Sequence, residues 1–229
     1  IESELSAVEF RRRLKADKNA GPAPSHWWTF EQDGRDLVGK LDAQPKGSAV
    51  IKNGRLILDG SEAFAETGST NETLTAKTLE AWLALPTLDQ RAGGVITVES
   101  IGGRYFDSVV FAERQPGRWM AGSDNGVRTQ NVEGPAENAK PGELIHVAIV
   151  YQPDGRIELY RNGQPYGGGY APANEKAGLH AFVEGKSHVL FGRRHTGGGN
   201  AFLRGELEEA RLYGFALTSA QIADSFRAG

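Results

Sequence analysis

The chain contains no cysteine. This excludes disulfides, thiolate metal sites, a cysteine nucleophile and covalent attachment of c-type haem. It sets no limit on compartment, because a chain long enough to build a full core needs no disulfide outside the cell. No run approaches the ~18 apolar residues of a transmembrane helix, and no signal peptide opens the sequence. Charge of one sign is also scarce. Twenty-six basic against 29 acidic residues leave a net charge of -3, so there is no cationic excess to displace counterions from nucleic acid. Complete catalytic motifs are missing. There is no G-x-S-x-G elbow and no H-E-x-x-H among the five histidines. The glycine tract in "HTGGGN" (195–200) lacks the lysine and hydroxyl of a phosphate loop.

Glycine is what the chain has in excess. Thirty glycines, scattered rather than periodic, suit many short strands joined by tight turns. Hydrophobic residues make up 39% of the 229, enough apolar surface for one large domain with a real core. The first residue is Ile1 rather than methionine, and the chain is therefore expected to be a segment of something longer.

Residues 1–17, "IESELSAVEFRRRLKAD", carry Ile1, Leu5 and Val8 on one helical face. Two prolines and a glycine in "NAGPAPSH" (19–26) then break the pattern. We expect a helical appendage and linker over residues 1–24, followed by a domain over 25–229. Strand punctuation begins at Trp27. Asn53-Gly54 and Asn162-Gly163 are pairs that tolerate the positive φ angles of type I′ hairpins, and Pro153-Asp154-Gly155 suits a turn closed by a left-handed glycine. Further strands are expected at 78–85, 94–100, 105–113, 188–194 and 205–213. Thr218 and Gln221 occupy the two positions of a capping box and start a C-terminal helix. About a dozen short strands without βαβ alternation predict an all-β fold: a two-sheet antiparallel jelly-roll sandwich with a short helix at each end.

The order of the pieces carries more than any one of them. "WWTFE", "NGRLILDG", "LEAWLAL", "IHVAIVYQPDGRIELYRNGQPYG" and "LRGELEEARLYGFALTSAQIADSF" together resemble the laminin-G-like, or concanavalin A-like, jelly-roll family over residues 27–227. The phrases "FDSVVFAERQPGRWMAGSD" and "LFGRRH" are similar to the jelly-roll module of large secreted planctomycete proteins that also carry cytochrome-c-like domains. The resemblance implies a sandwich that often binds carbohydrate, sometimes holds a calcium ion and sometimes mediates protein contacts. It also implies an extracellular or periplasmic setting. Glu208 stands where the family's last strand more often has aspartate, so no calcium ligand is carried onto it.

Two stretches concentrate polar chemistry: "FAERQPGRWMAGSDNGVRT" (111–129) and "LFGRRHTGGGN" (190–200). Aromatic faces stack on sugar rings while carboxylates and guanidiniums hydrogen-bond hydroxyls, and jelly-roll loops distant in sequence gather at one rim. The candidate ligand-binding residues are therefore Arg118, Trp119, Asp124, Arg193, Arg194 and His195. Against this, Glu113 and Arg118 approach each other across the "QPG" reversal, and such pairs can be mere surface braces. In a sandwich, moreover, alternate aromatics such as Trp119 are more often core than groove. A catalytic reading is offered by Glu206 and Glu208, which alternation places on one face with backbone anchors ~6.5–7 Å apart. The glycosidase pattern E-x-D-x-x-E is not met, however, because position 211 is Arg. The leading expectation is a non-catalytic module for a glycan or surface polymer, with no catalytic residue assigned and no partner among nucleic acids. The alternatives are a docking module for neighbouring domains and, behind it, a glycan-cleaving enzyme.

Overall fold

The structure, a computed structural model, describes residues 21–172, 178–199 and 201–229. The helix expected over 1–17 lies outside the described residues, as does the appendage up to residue 20. Among the described residues, fourteen strands form two antiparallel sheets. The eight-stranded sheet runs β12 (Gln164–Pro165), β11 (Ile157–Arg161), β10 (Leu144–Tyr151), β6 (Lys77–Ala84), β14 (Arg204–Tyr213), β4 (Arg55–Asp59), β3 (Val50–Lys52), with β1 (His26–Trp28) beside the second half of β14. The six-stranded sheet runs β2 (Ala43–Lys46), β5 (Phe64–Thr67), β13 (Ser187–Phe191), β7 (Gly93–Ser100), β8 (Phe106–Phe111), β9 (Trp119–Ser123). This is the expected sandwich.

The turns form where local chemistry demands. Asn53 and Gly54 take φ of 54° and 75°, and Asn162 and Gly163 take 50° and 72°, the paired left-handed residues of type I′ hairpins. Helix α1 (Ser219–Ala228) starts at the capping box: Gln221 N donates to Thr218 Oγ1 at 3.3 Å, and Thr218 N donates to Gln221 Oε1 at 2.9 Å.

The apolar faces of both sheets meet in one core. Trp28 and Phe30 set their rings edge-on against Phe191, with centroids 4.9 and 5.5 Å away, and each fully buried large side chain contributes roughly 1.5–3 kcal/mol. One charged cluster lies inside this core. Asp107 of β8 receives Lys77 Nζ at 2.6 Å and Arg128 Nη2 at 2.6 Å, all three side chains being buried. Burial alone would raise the Asp107 carboxyl, but the two cations outweigh it and hold its pKa below the usual range. Arg128 also donates to the Phe106 carbonyl at 3.1 Å, so the segment after β9 is tied to the start of β8.

The two outer faces differ. The eight-stranded sheet is covered by α1, whose Ile222 packs on Ala148, Val150, Tyr160, Tyr213 and Leu217. Beneath the helix, Glu80 accepts from Ser225 Oγ at 2.8 Å and from Tyr213 OH at 3.2 Å and lies 2.9 Å from His146 Nε2. The six-stranded sheet is covered by the connection from β13 to β14. Gly192 N donates to Val95 O at 2.9 Å, Leu203 N to Gly192 O at 2.9 Å and Arg194 N to Ala201 O at 2.8 Å. That returning loop buries Thr97, Glu99, Phe106 and Ser108.

Candidate functional site

Gly94 is what lets this loop lie flat on the sheet. A Cβ there would stand 2.3 Å from Arg194 Cα and 2.4 Å from Arg194 N, so any side chain at this position displaces the loop. Two further contacts fix the loop's height. Thr97 Oγ1 donates to Arg193 O at 3.1 Å, and Thr196 N donates to Glu99 Oε2 at 2.6 Å. Burial would raise the Glu99 carboxyl, yet hydrogen bonds from His188 and Thr196 outweigh it and hold its pKa down.

So seated, the loop closes one wall of a cleft of about 360 Å³. Arg194 and His195 form that wall. Gly103, Arg104 and Phe106 come from the entry to β8, Glu113 and Arg114 from its exit, and Ser123 to Gly126 with Thr129 from the end of β9. His195 lies flat on Phe106, centroids 4.3 Å apart and planes 9° from parallel, while its Nδ1 is 2.8 Å from Thr196 O. Asn125 and Gly126 turn the chain sharply at φ of 47° and 68°. Asp124 Oδ1 accepts from Arg128 Nη2 at 3.2 Å and lies 3.4 Å from His180 Nε2. Arg194 is ion-paired with Glu113, and Arg114 Nη1 donates to Thr129 O at 3.0 Å.

Of the six candidate residues, the fold brings three together here: Asp124, Arg194 and His195. The other three point elsewhere, each for a local reason. Trp119 is 3% exposed in the inter-sheet core, where its ring tilts against Phe111 at 4.7 Å. Its Nε1 donates to Glu137 Oε2 at 2.8 Å. Glu137 also takes Arg161 Nε and Nη2, both at 2.9 Å; against the opposing effect of burial, these partners lower its pKa to about 2. Arg118 donates to Gly134 O at 2.6 Å rather than pairing with Glu113. The strand leaves its ladder through Ala112 at φ 57°, and Glu113 beyond it is committed to Arg194. Arg193 stacks its guanidinium over Phe64 and Phe202, at 4.9 and 5.3 Å. The candidates named from the sequence did not include Arg104, Phe106 or Arg114 of the cleft lining. The "GGR" before β8 resembles any turn, and only the loop from β13 makes it a wall.

The alternative carboxylates, Glu206 and Glu208, both stand on β14. The ladder between β14 and β6 slips between Leu207 and Glu209, so Glu208 falls in a bulge where regular pairing is interrupted. Glu206 itself is ion-paired with Arg55 at 2.8 Å. Among the described residues no group of three or more His, Asp or Glu side chains is placed to hold a metal ion.

A family model described as the Concanavalin A-like lectin/glucanases superfamily (Laminin_G_3) matches residues 54–223. The chain belongs to this family. Among solved structures, this lectin/glucanase-family chain is similar to domain 4 of AbnA, a GH43 extracellular arabinanase from Geobacillus stearothermophilus, in complex with arabinotriose. The TM-score is 0.67 at 16% identity, covering 90% of this chain and 98% of that one. It is also similar to a SAP-like pentraxin from Limulus polyphemus (TM-score 0.57, 20% identity, 74% and 79% covered). A third likeness is to a Trypanosoma rangeli sialidase in complex with 2,3-difluorosialic acid (TM-score 0.63, 16% identity, 98% of this chain covered). The chain spans only 39% of that sialidase. At these identities the likeness concerns the fold. Comparison with curated proteins returns no match. Among the described residues no helix is long and apolar enough to cross a membrane.

Proposed function

We propose that this domain is a non-catalytic carbohydrate-binding module, and that its ligand site is the cleft over β8 and β9. One observation carries the reading: Asp124, Arg194 and His195, from loops far apart in sequence, line a single cleft beside a flat His195–Phe106 stack. Convergent polar groups around an aromatic surface are what sugar hydroxyls and ring faces require. Both carboxylates of the cleft are tied to cations, Glu113 to Arg194 and Asp124 to Arg128, whereas glycoside hydrolysis asks a carboxyl pair to donate and receive protons. The other outer face is occupied by α1. Likeness to a domain of an extracellular arabinanase in complex with arabinotriose supports carbohydrate as the ligand class. It also supports a place within a larger extracellular or periplasmic protein. The module's task there is to hold its parent on a polymer surface.

Affinity electrophoresis on a panel of polysaccharides tests this. The wild-type chain is retarded by at least one polymer, the His195→Ala and Asp124→Ala variants are not, and no reducing ends are released. Retardation that survives in both variants, or release of reducing ends that depends on Glu206, would refute it.

A further inference from the structure

The charges around the cleft do not cancel. Inside the sandwich, Lys77 and Arg128 are matched by Asp107 and Asp124. At the wall, Arg194 is matched by Glu113, although its Nε is buried without a hydrogen-bond partner. Two cations in the lining remain. Arg114 has only the Thr129 carbonyl, and Arg104, exposed at the rim, has no hydrogen-bond or ion-pair partner among the described residues. A third arginine stands close by, since Arg91 Nη2 donates to the backbone carbonyl of Glu113 at 3.2 Å. On a chain whose net charge is -3, this is a local excess of guanidinium against the overall sign. Guanidiniums with spare donors in a concave site select planar or tetrahedral oxyanions, and a cleft focuses their field on a ligand.

We infer that the ligand is an acidic polysaccharide, with a uronate carboxylate or a sulfate ester held by Arg104 and Arg114 while the sugar ring lies against His195. This rests on the carbohydrate-binding reading and narrows its ligand class. Carboxylate and sulfate share the chemistry that the arginines recognise; the cleft's geometry favours neither.

The test is affinity electrophoresis of the full chain against polygalacturonate, dextran sulfate, dextran, arabinan and polyphosphate. Retention is expected on polygalacturonate or dextran sulfate but not on dextran or arabinan, and whichever polymer binds tells carboxylate from sulfate. Arg104→Gln and Arg114→Gln each weaken binding about tenfold, the usual effect of one charge-assisted hydrogen bond, and Arg114→Lys restores part of it. Raising ionic strength weakens binding. Unchanged melting temperatures establish that the variants are folded. Equal retention of wild type and an Arg104→Gln, Arg114→Gln double variant on dextran or arabinan would overturn the acidic-ligand inference while leaving carbohydrate binding intact. Retention by no polysaccharide would overturn both. Equal retention on polyphosphate would reduce the cleft to an unspecific anion contact and overturn the inference as well.

Discussion

Replacing Gly94 with alanine separates the cleft from the fold beneath it. The new methyl would lie 2.3 Å from Arg194 Cα, 2.4 Å from Arg194 N and 2.7 Å from Arg193 C, where carbon contacts prefer ~3.5–4.0 Å. These are backbone atoms, so no rotamer relieves the clash, and the loop must rise by about 1 Å or more. That movement stretches the bonds from Arg194 N to Ala201 O, from Thr97 Oγ1 to Arg193 O and from Thr196 N to Glu99 Oε2. With about 1 kcal/mol net for each, the expected loss is ~2–3 kcal/mol. That corresponds to a fall of about 5–10 °C in melting temperature for a domain of this size. Gly68 is the control, because a Cβ there meets nothing within 4 Å, and Gly68→Ala is expected to be near neutral. Calorimetry measures both, and amide hydrogen exchange at Arg194 and Thr196 reports the loop directly. Should Gly94→Ala melt with Gly68→Ala and leave both amides protected, the account of how the wall is seated is wrong.

Three further outcomes are expected. Trp119→Phe removes the bond to Glu137 and part of a core ring, lowering stability by ~1–3 kcal/mol in chemical denaturation while leaving polysaccharide binding unchanged. Arg193→Ala likewise leaves binding in place, since its guanidinium faces Phe64 and Phe202; loss of affinity without unfolding would contradict that. His26 is buried, 2.6 Å from Asp36 Oδ2 and 3.2 Å from Glu72 Oε1. Burial lowers its pKa, but the two carboxylates outweigh this and raise it to about 9. Because the folded value lies above the ordinary 6.5, the contribution is complete below about pH 6.5 and is lost as pH rises through about 9. It amounts to at most about 3 kcal/mol, and denaturation between pH 6 and 10 should show the decline in the wild type but not in His26→Gln.

What could be read from the residues was local. Asn53-Gly54, Asn162-Gly163 and Gly155 tolerate positive φ at little cost and adopt it here, and the Thr218–Gln221 box closes on itself, so hairpins and helix start were legible. Alternation marked the strands but not which of their faces meets the other sheet, and Trp119, with a hydrogen-bonding indole, stood among the groove candidates although the aromatics of a sandwich are more often core, where it lies. Adjacent Arg193 and Arg194 diverge, one to Phe64 and Phe202 and the other to Glu113, 81 residues away in sequence. Nothing nearby in the chain announces such a partner. The bulge at Glu208 escaped for the same reason, since a register slip belongs to the pairing of β14 with β6. Gly94 is the plainest case: its smallness matters only because Arg194 crosses above it.

The most direct measurement is a titration of the isotopically labelled chain with the best-binding oligosaccharide, followed through its backbone amide resonances. Shifts concentrated at Gly103, Arg104, Asn125, Gly126, His195 and Thr196 are expected, with Arg55, Glu206 and α1 unmoved. Shifts spread along β14 and α1, with the cleft amides silent, would place recognition elsewhere and contradict the central claim.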